Sequence, residues 1–399
     1  MSLPDINIVR AAGGLGRQQP TDDGISALIT QGVAVGVAGG LNLNTDYEIR
    51  SALAADALGI LPANGYTTTR RHIAEYFRLN PGGILIVRVI PQSLTLSDML
   101  DRTESNAQQL LINANGRVKQ LAVVLNPAAG YAPTIVAGIN ADVTAAVAKG
   151  QALAMAEFVA HRPVFILVAG HQLAADLTTV TDQRAQNAEF VSVVVGTDHG
   201  NAPGEPAIGA ALGAIAAARV NESIAWVRKF PLTGNGSFTQ AGLSNGFSNA
   251  ALLPGDLGAL SDKGLIVVRQ HAGLDGFYFS DTPTCTLASS DYAYLENVRT
   301  TNKAARIVRR ALLPSLNGPV PVNSDGTLQA QAVGELQGQA VAALTASMIQ
   351  AGEISQLAVY IDPTQNVIST SVLQVRVSLI PVGVARQINV TLGLTTKVS

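Results

Sequence analysis

Apolar segments of strand length alternate with helical patterns over residues 21–228. The strand candidates are GVAVGVA (32–38), GILIVRVI (83–90), QLAVVL (120–125), VFILVA (164–169) and FVSVVVG (190–196). The helical patterns between them cover 47–58, 69–79, 96–114, 141–161 and 207–218. Strands that are apolar on both faces and alternate with helices indicate a parallel sheet covered on both sides. We therefore predict an α/β domain here.

The order of elements changes after residues 229–262, a stretch rich in Gly, Ser and Asn that is typical of a loop and a domain junction. The elements predicted beyond it are short strands at 264–270 and 276–280, long helices at 290–313 and near 327–351, and strands at 356–362, 372–380 and 386–394. Apolar and polar residues alternate in the last two strands, so each has one face to bury. Segregated helices and strands predict an α+β domain.

The predicted fold class is α/β plus α+β. A parallel-sheet α/β domain is inserted between an N-terminal strand and a C-terminal α+β domain, and both termini are extended arms. The predicted divisions are an N-terminal arm with a short strand (1–20), the α/β middle domain (21–228), the junction (229–262), the C-terminal domain (263–385) and a C-terminal arm strand (386–399).

Charged residues are unusually few for a chain of this length. They make up 14% of the 399 residues, whereas hydrophobic residues make up 47%, and a soluble domain carries about 25% charged residues. A surface with so little charge suggests that much of it is buried against other copies or partners. The net charge of −2 argues against nucleic acid as the main partner, because a duplex-binding domain is basic.

The longest apolar run, residues 207–218, is too short to cross a membrane, which takes about 20 such residues. We predict a buried helix there, and the first residues show no signal-peptide pattern. The single cysteine excludes an internal disulfide and a cysteine-based metal site. We predict no cofactor.

Glycine-rich stretches at 11–20 and 32–42 lack the lysine of a phosphate-binding loop and the glycine spacing of a dinucleotide site, so turns are favoured there. Asp198 and His199 follow a predicted strand, where sites gather in parallel sheets. Turn chemistry is favoured for this pair as well, since no nucleophile elbow or zinc-binding helix motif accompanies it. It remains the place for an enzymatic alternative.

Cys285 and His271 could form a nucleophile and its base. No cation lies beside Cys285 in the sequence to lower the pKa of its thiol. A small apolar residue in a strand or turn is the favoured interpretation of Cys285.

The helix predicted at 290–313, whose start Ser289 or Ser290 could cap, carries a stripe of cations. Their spacing of i, i+4, i+7 and i+11 places them on one face of the helix: Arg299, Lys303, Arg306 and Arg310. A neighbouring apolar stripe is expected to pack on the sheet: Leu295, Val298, Ala305, Val308 and Leu312. Four cations in a row repel one another unless something negative faces them. The stripe is therefore either a solvated face or a contact for a phosphate surface, a polyanion or an acidic protein.

The last third of the chain resembles contractile tail sheath proteins of bacteriophages and phage-tail-like contractile injection systems. The resemblance rests on three ordered segments: GFYFSDTPTCTLASSDYAYLENVRTTNKAARIVRRAL (276–312), LAVYIDPTQN (357–366) and LQVRVSLIPVGVARQINVTLGL (373–394). It covers about 263–399 and the N-terminal strand. The middle α/β region is similar to these proteins only in its fold class. The chain is short for this family, and its helix reads NVRTTNKAARIV where many relatives have two adjacent basic residues after the Val.

The resemblance implies a structural subunit without enzymatic activity. Such subunits polymerise around an inner tube and contract from a metastable extended state, which drives the tube through a target envelope. The implied partners are further copies of the chain, the inner tail tube protein, and baseplate and tail terminator proteins, with no nucleic acid and no membrane insertion. The implied location is a virion tail or a phage-tail-like particle assembled in the host bacterial cytoplasm.

The resemblance also implies residue roles. The α/β domain would lie outside and the C-terminal sheath domain inside, facing the tube. The cationic stripe would contact an acidic tube through Arg299, Lys303, Arg306 and Arg310. The terminal strands would be exchanged with neighbouring subunits through Ile6, Ile8, Ile388, Val390 and Leu392. Two alternatives stay open, an enzyme with a site near Asp198 and His199, and a non-contractile shell protein.

Overall fold

The computed structural model describes residues 22–36 and 39–394. Its strands, in chain order, are β1 (Ser26–Gly32), β2 (Asp46–Ile49), β3 (Leu85–Pro91), β4 (Gln120–Val124), β5 (Ile135–Val136), β6 (Ile139–Asn140), β7 (Phe165–Ala169), β8 (Val191–Val194), β9 (Gly196–Asp198), β10 (Ala241–Leu243), β11 (Leu265–Ile266), β12 (Val268–Arg269), β13 (Tyr278–Phe279), β14 (Ile354–Tyr360) and β15 (Arg376–Pro381). Its α-helices are α1 (Ala52–Ala57), α2 (Thr67–Leu79), α3 (Leu96–Leu100), α4 (Ala107–Ala114), α5 (Ala141–Val159), α6 (Ile208–Ala217), α7 (Asp256–Asp262), α8 (Leu295–Leu312), α9 (Ala330–Leu344) and α10 (Val367–Thr370).

A seven-stranded sheet forms the main core, with the strand order β11-β8-β7-β4-β1-β3-β2. Neighbouring strands run parallel, except that the edge strand β2 is antiparallel to β3. The central strand β1 places Ser26 opposite both Leu85 of β3 and Gln120 of β4. The predicted parallel sheet is confirmed, and the predicted strands at 83–90, 120–125, 164–169 and 190–196 correspond to β3, β4, β7 and β8.

Helices cover both faces of the sheet. The connection from β1 to β3 carries α2, and the connection from β4 to β7 carries α5. These connections run in opposite directions across the sheet, so right-handed crossovers place their helices on opposite faces. Helix α6 packs beside α2 and contacts β4 and β7, and α3 packs against α5. The apolar run at 207–218 is therefore a buried helix, as predicted.

The first strand lies elsewhere than predicted. The sequence pattern predicts a strand at 32–38, whereas β1 ends at Gly32 and Val33 is half exposed. Polar residues interrupt the apolar pattern of β1, so the sequence does not reveal this strand. In the structure these residues are buried and form hydrogen bonds. The hydroxyl of Ser26 accepts a hydrogen bond from the Gln120 amide at 2.9 Å, and the hydroxyls of Thr30 and Thr69 lie 3.1 Å apart. Residues 37 and 38 lie outside the described residues.

Two predicted helices also differ. The segment 47–58 begins as the edge strand β2 and becomes helical only at Ala52. The segment 96–114 is two helices, α3 and α4, separated by a turn in which the Asp101 carboxylate accepts a hydrogen bond from the backbone N–H of Thr103 at 2.8 Å. Side-chain hydrogen bonds of this kind compete with helix propagation.

The chain beyond the junction contributes to both parts of the molecule. Strand β11 completes one edge of the seven-stranded sheet, and β12 pairs with β13. Helices α8 and α9 and strands β14 and β15 then pack around a second, smaller core: Val220, Ala304, Leu344, Met348 and Ile354. A π-helical turn, Thr345–Ile349, continues α9. The domain boundaries stay a prediction.

Candidate assembly site

Helix α8 begins later than the sequence pattern predicts. The segment before it forms turns and ends in a short pairing with the strand-like segment around Cys285, since Thr284 N–H donates to the carbonyl of Ala293 at 3.1 Å and Pro283 forms a bridge with Tyr294. This pairing moves the start of the helix to Leu295, so neither Ser289 nor Ser290 caps it. Leu295 and Val298 are buried in the main core, as expected for the apolar stripe.

Arg299, the first cation of the predicted stripe, is buried, with only 4% of its surface exposed. Its guanidinium donates hydrogen bonds to the carbonyls of Ala218 and Arg219 at 3.2 and 3.1 Å. Ala218 follows the last residue of α6, so Arg299 satisfies carbonyls at the negative end of that helix. Burial lowers the pKa of Arg299 to about 10.

Lys303 and Arg306 both contact Asp23, which precedes β1. The Lys303 ammonium lies 2.7 Å from one carboxylate oxygen of Asp23, and the Arg306 guanidinium lies 2.6 Å from the other. Lys303 also pairs with Glu353 at 2.7 Å. Burial raises the pKa of Asp23, but Lys303 and the nearby guanidinium groups outweigh it, so the pKa lies below its ordinary value. The negative groups that face these cations thus belong to the chain itself.

Arg310, the last cation of the stripe, is exposed and forms no ion pair among the described residues. Its neighbour Arg309 is also exposed. The structure therefore brings the four predicted cations onto one face of α8, but three of them contact groups of the same chain. Their contact with a tube stays a prediction.

Strands β14 and β15 form an isolated antiparallel pair in which Val359 lies opposite Val377. The apolar residues of β15 alternate as predicted, with Val377 and Leu379 packed against the second core and Arg376 and Ser378 exposed. Within the described residues neither strand pairs with a third strand. One long edge of each strand thus keeps its backbone groups free of strand partners.

The C-terminal segment, residues 386–394, is extended but does not pair as a strand within the described chain. Its apolar side chains are strongly exposed: Ile388 by 79%, Val390 by 73%, Leu392 by 91% and Leu394 fully. Apolar positions at a spacing of two share one side of an extended chain. This segment therefore presents an apolar stripe that the described part of the chain leaves exposed. The corresponding N-terminal residues, Ile6 and Ile8, lie outside the described residues.

An apolar groove of about 370 Å³ lies between the end of α5, helix α8 and strand β15. Its lining includes Phe158, Thr301, Ala305, Val308, Val377 and Leu379. The groove thus adjoins the strand β15, whose outer edge is unpaired within the described residues.

The start of the C-terminal segment is held by Arg386. Its guanidinium forms ion pairs with Asp281, at 2.9 Å, and with Glu296 in the first turn of α8. It also lies over the ring of Tyr294, with 3.3 Å between the guanidinium carbon and the ring centroid. Glu296 is almost fully buried and accepts a second hydrogen bond from the hydroxyl of Thr282 at 2.6 Å.

Sequence reasoning missed four of these residues: Asp23, Glu296, Glu353 and Arg386. Glu296 could have been found, because it lies three residues before Arg299 and continues the same stripe. Asp23, Glu353 and Arg386 are distant in sequence, and only the fold brings them to α8.

The enzymatic alternative centres on Asp198 and His199. Asp198 is buried, and its carboxylate accepts hydrogen bonds from the backbone N–H of Phe238 and the amide of Asn201, both at 2.9 Å. The adjoining cavity measures only about 20 Å³, room for about one water molecule. The carboxylate therefore organises a turn, which is the favoured interpretation.

Cys285 is fully buried, and burial raises the pKa of its thiol to about 12. Its backbone pairs with Ala188 and Val191 beside the main sheet. His271 instead contacts the ring of Tyr278. Cys285 is thus a small buried residue, as the favoured interpretation states.

No helix within residues 22–36 and 39–394 is long and apolar enough to cross a membrane. The same residues contain no cluster of three His, Cys, Asp or Glu side chains that could hold a metal ion.

The fold is that of contractile sheath proteins. The structure aligns with the helical sheath of the anti-feeding prophage in its contracted state at a TM-score of 0.62 and 17% identity, over 100% of both chains. It aligns with a protein of the PVC sheath complex of an extracellular contractile injection system, also contracted, at 0.57 and 14%, over 99% of this chain and 98% of that one. A sheath tail protein from Desulfitobacterium hafniense gives 0.51 and 10%, over 95% and 100%.

The chain belongs to the DUF2586 family. Residues 3–283 match the model of the DUF2586 N-terminal domain, and residues 291–399 match that of the DUF2586 C-terminal domain. The two matches meet just before α8. No curated protein matches the sequence.

Proposed function

We propose that this protein is the structural subunit of a contractile tail sheath. The subunits polymerise around an inner tube, and contraction from a metastable extended state drives the tube through a target envelope. The C-terminal segment carries this proposal, because a chain with the sheath fold exposes four apolar side chains at alternate positions on an unpaired extended backbone. Such a segment is completed by pairing with another chain.

The receiving site in the neighbouring subunit is the outer edge of β15. Pairing there supplies the backbone hydrogen bonds that both segments lack. It also brings Ile388, Val390 and Leu392 to the apolar groove beside Val377 and Leu379. An arm exchanged in this way keeps subunits joined while their bodies move during contraction. The N-terminal arm, with Ile6 and Ile8, has the same role.

The exposed end of α8, with Arg309 and Arg310, contacts the inner tube, and the α/β domain lies outside. This arrangement is supported by the concentration of exposed cations there in a chain with only 14% charged residues. Further partners are baseplate and tail terminator proteins. The particle is a virion tail or a phage-tail-like device assembled in the bacterial cytoplasm, and no catalysis is involved.

Truncation tests the exchanged arm. Removal of residues 387–399 spares the ion pairs of Arg386, and the apolar side chains that it removes from the described chain, Ile388, Val390, Leu392 and Leu394, are exposed. We therefore expect a folded monomer that forms no tubes or rings under negative-stain electron microscopy. The point variants Ile388→Ser and Val390→Ser should have the same effect when combined. The matched control combines Gln387→Ser with Asn389→Ser, which changes polar residues on the other side of the extended segment, and it should still assemble.

Normal tubes from the truncated chain would refute strand exchange. Tubes that adopt one lattice only, with no shorter and wider form, would instead indicate a non-contractile shell protein.

A further inference from the structure

The ion pairs on α8 connect both ends of the described chain to one helix. In the middle of α8, Lys303 and Arg306 form ion pairs with Asp23, the first side chain that the structure describes. We call Asp23, Lys303, Arg306 and Glu353 the N-terminal clamp. At the other position Glu296, with Asp281 and Tyr294, holds Arg386. We call these four residues the C-terminal clamp.

Both clamps lie on the same face of α8. Glu296, Lys303 and Arg306 are spaced i, i+7 and i+10, which places them within a narrow stripe. Seven residues of helix span about 10 Å. The points at which the two terminal segments join the body of the subunit are therefore held side by side, two turns apart along one helix.

The clamp residues are more buried than those of ordinary surface ion pairs. Exposed side-chain fractions are 16% for Lys303, 14% for Asp23 and 6% for Glu353. In the C-terminal clamp they are 28% for Arg386 and 3% for Glu296. Exposed ion pairs contribute little to a fold, but a buried charge that loses its partner is strongly unfavourable. Each clamp thus resists release of the segment that it holds.

The contacts of Arg386 also fix the direction of the backbone that follows it. A guanidinium is planar, and here its edge faces two carboxylates while its flat face lies on the ring of Tyr294. Ion pairing and stacking together fix both the position and the plane of the group. The backbone that follows, which carries Ile388 and Val390, therefore leaves the subunit along a set direction.

We propose that the charged face of α8 fixes the separation of the points at which the two terminal arms leave the subunit, and through Arg386 the direction of the C-terminal arm, so that the arms match the receiving edges of its neighbours. The inference that the arms are positioned for exchange rests on the proposed function. The clamps themselves are a property of the single chain and can be measured on it.

Spin-label distances test the clamps in the monomer. Cys285 is the single native thiol, and because it is fully buried, labels react at introduced cysteines. One label pair joins Gln387→Cys, beside Arg386, to Ala342→Cys on the exposed side of α9. The second pair joins Thr21→Cys to the same α9 position. Pulsed electron paramagnetic resonance gives a distance distribution for each pair.

We expect Arg386→Gln to broaden the Gln387 distribution at least twofold and to leave the Thr21 distribution unchanged. Asp23→Asn should broaden the Thr21 distribution and leave the Gln387 distribution unchanged. Arg309→Gln, an exposed cation on the same helix, is the matched control and should change neither. Arg386→Lys should give an intermediate width, because an ammonium keeps the charge but loses the planar contacts.

A Gln387 distribution that stays as narrow in Arg386→Gln as in the native chain would overturn the C-terminal clamp, and the Thr21 pair decides the N-terminal clamp in the same way. If Arg386→Gln unfolds the chain by leaving Glu296 unpaired, the double variant with Glu296→Gln removes both charges and gives the same readout. In assembly, either clamp variant should form tubes at least tenfold more slowly. If the native chain forms no tubes, the proposed function fails, while the distance distributions still decide the clamps.

Discussion

Glu205 is a partly buried carboxylate in the α/β part of the chain, and its surroundings lower its pKa. It forms an ion pair with Arg71 and lies 3.3 Å from the imidazole of His72. Burial raises its pKa, but His72 and Arg71 outweigh burial and lower the pKa to about 2. Since α2 carries Arg71 and His72, and Glu205 lies three residues before α6, the group links the two helices that cover one face of the sheet.

The lowered pKa makes a prediction about acid stability. A carboxyl group whose pKa falls on folding stabilises the fold above its unfolded pKa, near 4.5, and loses this contribution as the pH falls toward 2. Glu205→Gln should therefore cost about 2–3 kcal/mol at pH 7 and almost nothing near pH 2. Urea unfolding of the monomer at several pH values measures the difference. Glu104→Gln, at an exposed position, is the control, and a cost for Glu205→Gln that does not change with pH would contradict the assignment.

At the scale of elements, α2 and α6 approach so closely that only glycine fits between them. A Cβ atom added at Gly209 would lie 2.2 Å from the carbonyl oxygen of His72, and one at Gly213 would lie 2.7 Å from that of Tyr76. These obstacles are backbone atoms, which cannot move aside as a side chain can. The glycines of the apolar run are thus required by helix packing.

This packing predicts opposite effects for the same substitution in two helices. Gly209→Ala should destabilise the monomer by about 2 kcal/mol or more, because overpacking forces the helices apart. Gly338→Ala, in α9, has open space around its added Cβ and should be neutral or stabilise by up to about 1 kcal/mol, since alanine favours a helix. Thermal unfolding of the two variants checks the contrast. Equal effects would show that α2 and α6 are not in backbone contact.

The elements differ in how far the sequence reveals them. Strands β3, β4, β7 and β8 are continuous apolar runs, and a pattern of this kind predicts them directly. Strand β1 was missed because Ser26, Thr30 and Gln31 interrupt its apolar run, and their hydrogen-bond partners come from residues that only the fold brings near. The one-sided charge of α8 could likewise be predicted from spacing. That Asp23 and Arg386 are held there could not, since each is at least 70 residues away in the sequence.

At the scale of the whole molecule, the proposed contact with the inner tube involves the exposed end of α8. The double variant Arg309→Glu with Arg310→Glu should still form sheath-like tubes, because neither side chain belongs to a clamp, but it should not assemble on the inner tube protein. Co-sedimentation with purified tubes measures this, and we expect binding to fall at least tenfold. Arg102→Glu changes an exposed cation of the α/β part and should bind normally. Unchanged binding by the double variant would make this end of α8 a solvated face.

The shared face of α8 has a mechanical consequence. In a lattice joined by exchanged arms, tension reaches each subunit through one arm and leaves it through the other. With both arms held about two turns apart on one helix, the load path is short and runs along the axis of α8. The strands of the seven-stranded sheet do not connect the two arms, so this tension would not act between them. Because Leu295 and Val298 of α8 are buried in the main core, the α/β part would turn together with this helix as the lattice shortens.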